Sequence, residues 1–172
     1  MIPTHLKGPG MISIQNLTDF YARNVEIIKM QTENLTHEES LIQLPFRSNC
    51  LNWVVGHVLT NRCNILDLLG ADDLRPELDL DHYERESDPV LGEAEGVLHL
   101  EELILYLEES QLRLAAALEK ESEESLKRLA PYRDRPEKEV AFWIFFLYFH
   151  DSYHVGQTEI LRQAAGKDDK II

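Results

Sequence analysis

Ile14, Leu17, Tyr21, Val25 and Ile28 recur at spacings of three and four, which lays one apolar stripe along a helix from near Ser13 to about Asn34. Thr36, three residues before Glu39, fits a capping box ahead of a short turn. Ser48 or Asn49 then announces the cap of a second long helix, which runs to a stop at Gly70. Leu51, Val55, Val58, Ile65 and Leu69 make its core stripe. The next 26 residues, ADDLRPELDLDHYERESDPVLGEAEG, are broken by Pro76 and Pro89 and hold no period. A connection of that length inside a compact domain belongs to lids and covers.

A third helix runs from about Leu100 to Glu119, with Leu103, Leu107, Leu114 and Leu118 on one side and charges on the other. A short helical turn follows near Ser122 to Leu129, and Pro131 and Pro136 mark the next connection. The last helix extends from near Glu137 to Ala165, where Gly166 ends it. Four long helices, short links and one long acidic crossover between the second and third predict an all-α four-helix bundle. A single domain over residues 12–166 is expected, with a flexible leader at 1–11 and a tail at 167–172.

Charge narrows the range of partners. The net charge of −14 comes from one segment: between Asp72 and Glu124 there are 18 acidic and 4 basic residues, and the remainder holds 13 of each. A nucleic-acid partner is not expected of such a chain, because phosphate recognition needs a cationic face. The start MIPTHLKGPG has no secretory pattern, and the longest apolar run, residues 140–149, is half of what a membrane crossing requires. With only Cys50 and Cys63, no disulfide framework is implied. A cytoplasmic protein with reduced thiols is the expectation.

Candidate chemistry lies on the last helix. Trp143, Leu147, His150, His154, Gln157 and Leu161 share one face, so two imidazoles stand in an inward register, roughly 6 Å apart along the axis. On the second helix His57, Asn61 and Asn64 form a matching polar line. Burying such groups without partners costs about 1–3 kcal/mol each, so the two lines are expected to face each other. Three converging imidazoles suit one divalent transition metal and leave a coordination position open for water or substrate. The alternative is that the histidines are satisfied by hydrogen bonds alone. His5, His37, His82 and His99 fall in loops or at helix ends, and Cys50 is assigned to packing. Asp151 is assigned to the surroundings of the histidines or the surface. HDSYH has zinc-protease spacing but carries Asp151 where the general-base Glu belongs, and no Glu-x-x-His of a di-iron bundle occurs. A bis-histidine haem has only the histidines in its favour. Seven of the fourteen aromatic residues lie between 142 and 153; Phe142, Phe145, Phe146 and Phe149 occupy more than one face, as core or as homodimer contacts.

WVVGH on the second helix and HDSYHVGQ on the last resemble the DinB family, within the set that includes bacillithiol and mycothiol S-transferases. The similarity extends from about residue 12 to 166. It implies an up-down-down-up bundle, commonly dimeric, with nickel or zinc held by three histidines, here His57, His150 and His154. A small-molecule substrate used with a low-molecular-weight thiol is implied as well, with Asn61 and Gln157 placed to orient it. The chain departs from the family at Val155, where Arg is frequent. A binding protein without turnover is the rival expectation.

Overall fold

The computed structural model describes residues 13–71 and 78–171. The expected leader and the first part of the crossover lie outside them. Helix α1 is Ile14–Thr32, and its Ser13 side chain accepts the Asn16 N–H at 3.1 Å. The short α2, His37–Ser40, begins with the capping box of Thr36 and Glu39. Helix α3 is Leu51–Leu69. Its cap is Cys50 rather than Ser48 or Asn49, and no side chain closes that end. Gly70, at φ 69°, adopts the left-handed conformation that lets the chain leave the helix.

Every residue from 51 to 66 is buried, so α3 has a buried circumference where the sequence suggested a stripe. The reason is position. It packs against α4 (Leu100–Glu119) and α5 (Val140–Ala164), while the crossover turn Asp81–Tyr83 lies on it as well. Helix α1 closes the arrangement by packing on the same α4 and α5. Leu69, expected in the core, is only half-buried.

The all-α expectation needs one correction. Between α4 and α5 the chain forms a two-stranded antiparallel hairpin, β1 (Leu129–Tyr132) and β2 (Arg135–Glu139), in a fold that is otherwise mostly helical. The expected helical turn before it shrinks to Ser125–Lys127, and α5 starts at Val140 rather than near Glu137. Arg133, at φ 54°, makes the tight return between the strands. The hairpin is anchored by Trp143, whose indole N–H donates to the Ala130 carbonyl at 2.9 Å.

One cation ties the long helices together. Arg62 on α3 is fully buried; it donates to the Tyr21 carbonyl on α1 at 3.0 Å and to Gln111 Oε1 on α4 at 2.8 Å. Its Nε lies 2.8 Å from Asp151 Oδ2 on α5. Asp151 is therefore a fully buried ion-pair partner and not a surface residue. Among the described residues, no helix is long and apolar enough to cross a membrane.

Candidate metal centre

The two polar lines meet. His57 from α3 and His150 and His154 from α5 bring one ring nitrogen each within 4.8 Å of the others. Ring centres stand 5.2 Å apart for His57 and His150, 5.0 Å for His57 and His154, and 4.6 Å for His150 and His154. Nitrogens bound to one tetrahedral ion would sit about 3.4 Å apart at ordinary zinc–imidazole lengths. Small side-chain shifts close that difference.

Each ring is held by a different neighbour. His57 Nδ1 donates to the Tyr83 carbonyl at 2.6 Å, and Trp53 stacks on its face at 4.5 Å. His154 Nδ1 donates to Gln157 Oε1 at 2.7 Å. In both, the proton is fixed on Nδ1 and the Nε2 lone pair remains for an ion, the usual arrangement of a ligating histidine. His150 differs. The Asn61 amide nitrogen donates to the His57 carbonyl at 2.9 Å and stands 3.1 Å from His150 Nδ1. With the amide so turned, Nδ1 accepts and Nε2 carries the proton, so His150 binds an ion only after Asn61 or that proton moves.

Charge in this cluster is disfavoured. Burial, followed by the nearness of His57 and of Arg133, Arg135 and Arg85, pushes His150 down to about 4. Burial and the other two histidines take His154 down to about 4 as well, and His57 is lowered mainly by burial. All three are neutral at pH 7, the form in which imidazole ligates. Burial lifts the neighbouring Asp151 carboxyl to about 7 against the pull of Arg62.

The crossover supplies parts that the helix pattern concealed. Tyr83, the single aromatic residue between Trp53 and Tyr106, is fully buried against α3. Its hydroxyl donates to Asn52 Oδ1 at 3.1 Å and accepts the Leu98 N–H at 2.8 Å. Gly56 permits this seating, since a Cβ there would lie 2.2 Å from the ring. Of the polar line on α3, Asn64 turns away from the histidines and donates to the Tyr132 hydroxyl at 3.4 Å.

Two cavities open onto the cluster, with His57 and His150 lining both. One, of about 290 Å³, lies toward the hairpin and includes Asn61. The other, of about 800 Å³, lies toward the crossover and includes His154, Gln157 and Trp53. Asn61 and Gln157 thus touch histidine nitrogens and also face space that a ligand can enter.

A second group the sequence left without chemistry, His37, Glu93 and His99, also brings its ligand atoms within 4.8 Å. Both nitrogens of His37 are engaged, however, accepting the Leu100 N–H at 3.3 Å and meeting Glu93 at 2.6 Å. It serves to fasten α2 to the start of α4. His82 likewise bonds the Glu95 carbonyl at 2.9 Å, and His5 lies outside the described residues.

The fold has a solved counterpart: the crystal structure of a conserved protein from Enterococcus faecalis superposes with a TM-score of 0.72 at 20% identity, over 92% of this chain and 100% of that one. No curated relative matches the sequence. The model of the DinB superfamily matches residues 28–158, a span that includes all three histidines, Tyr83 and the hairpin, and the chain therefore belongs to the DinB superfamily.

Proposed function

We propose that the protein binds one divalent transition metal through His57, His150 and His154 and uses it as a small-molecule transferase acting with a low-molecular-weight thiol. The observation that carries this reading is the convergence of three neutral imidazoles, two with their protons already fixed away from the centre, at the junction of two cavities. Three protein ligands leave a position open, as in sites that act on water or substrate rather than structural ones. Bound there, a nickel or zinc ion would lower the pKa of a thiol placed at that position and favour the nucleophilic thiolate. Asn61 and Gln157 orient ligand histidines and present their remaining polar atoms to substrate. Trp53 and Tyr83 keep the His57 ring in place.

The same reading takes the four long helices as an up-down-down-up bundle, which the packing of α1 and of α3 on both α4 and α5 supports. It places the protein in the cytoplasm as a homodimer. Elemental analysis of untagged protein tests the metal: about one ion per chain is expected, lost in His150→Ala. If no ion is found even after refolding with nickel, zinc or iron, the proposal fails. Turnover of electrophiles with bacillithiol, mycothiol or glutathione then supports the transferase, while metal without turnover leaves a binding protein.

A further inference from the structure

The two cavities differ in charge. The smaller is walled by Arg85 from the crossover, Arg133 at the hairpin turn and Arg135 on β2, together with Tyr132 and Phe146, and among the described residues no carboxylate lines it. In a chain with 31 acidic and 17 basic residues, three arginines around one void, with no acid among its described walls, run against composition. Cationic groups around a small space attract an entering anion.

The arginines are also arranged to receive one. Arg133 Nη2 donates to Glu84 Oε2 at 2.6 Å, and Arg85 meets Glu86 at 3.0 Å. Arg135 has no carboxylate partner among the described residues; its guanidinium carbon rests 4.9 Å from the centre of the Phe146 ring. Stacking of that kind fixes the plane of the guanidinium while leaving its N–H fork free.

We propose that the hairpin-side chamber binds the anionic group, a carboxylate or a phosphate, of the small-molecule substrate, with Arg135 as principal contact and Arg133 and Arg85 in support. The proposal rests on the histidine cluster being the reactive centre and adds which substrates it takes. The guanidinium fork matches both oxyanions. About 290 Å³ holds an acidic head group, and His57 and His150 are shared with the 800 Å³ cleft where the rest of the molecule extends.

The test is direct titration of untagged protein, metal-free and zinc-loaded, with malonate and with inorganic phosphate at fixed ionic strength, followed by calorimetry. Saturable binding of at least one anion is expected in both forms, weakened about tenfold or more in Arg135→Gln and further in the double variant with Arg133→Gln. Preference for malonate points to carboxylate substrates and preference for phosphate to phosphorylated ones. Zinc content is measured on every sample. Anion binding that persists where zinc fails to load counts against the metal reading and sustains this one. The proposal is overturned if neither anion saturates at millimolar concentration, or if Arg135→Gln leaves both affinities unchanged while circular dichroism shows it folded.

Discussion

Gly56 and Tyr83 share a volume that admits only one of a methyl group and a phenol ring. With the added Cβ at 2.2 Å from the ring, Gly56→Ala forces the crossover off α3 and takes the Tyr83 carbonyl away from His57. Overpacking of this kind costs about 1–3 kcal/mol. Thermal unfolding is expected to fall accordingly, and zinc titration is expected to show weakened uptake although no histidine has changed. Arg62 sets the other single-residue test. Removing it in Arg62→Met strands the fully buried Asp151 and is expected to lower stability by about 3–5 kcal/mol, whereas Arg62→Met with Asp151→Leu recovers much of the loss in urea unfolding. At this scale the sequence spoke unevenly. The i, i+4 spacing of His150 and His154 and the mid-helix His57 pointed to the cluster, because side chains on helices inherit a period. Tyr83, Arg62 and the three arginines did not stand out, since their roles depend on which elements meet in space. An isolated tyrosine in an acidic loop and an arginine within an apolar helix were the signals available.

The helices were legible because each carries a stripe or a stop: α4 spans Leu100–Glu119 as its leucine spacing predicts, and Gly70 ends α3. The hairpin was not. All five residues of β2 are exposed, and the register slips between Ala130 and Tyr132, where Pro131 interrupts the ladder, so no alternation of apolar and polar positions marks it. The seam between α3 and α5 predicts a pH response. The unfolded chain protonates its histidines near 6.5, while His150 and His154 resist until about 4 and His57 is shifted the same way. More protons are bound unfolded within that window, so stability falls as pH drops from about 6.5 toward 4. Asp151, lifted to about 7, works in the opposite direction by keeping a proton that the unfolded chain has lost. Three groups act against one, and metal-free protein is expected to show a declining urea midpoint between pH 7 and 5. His150→Phe with His154→Phe flattens that slope.

For the whole molecule, the unfinished surface is α5. Phe142, Phe145, Phe149, Tyr153 and Ile160 advance along one outer face, each between 47% and 66% exposed. Such a run of large apolar side chains along one helix is costly to leave in water, and the proposed homodimer, packing by two-fold symmetry, would cover it. Sedimentation is expected to find a dimer that Phe149→Glu converts to monomer, with the metal content of the separated chains unchanged because His150 and His154 turn toward His57 on α3. The crossover has a different reach. A single peptide carbonyl within it aims the His57 ring, and the tyrosine that owns this carbonyl is locked on both sides. If the proposed ion is bound there, its escape would be coupled to detachment of that strap, so a chelator in excess would strip the protein at a rate that no longer rises with its concentration, and the plateau would clock how often this stretch of backbone lets go.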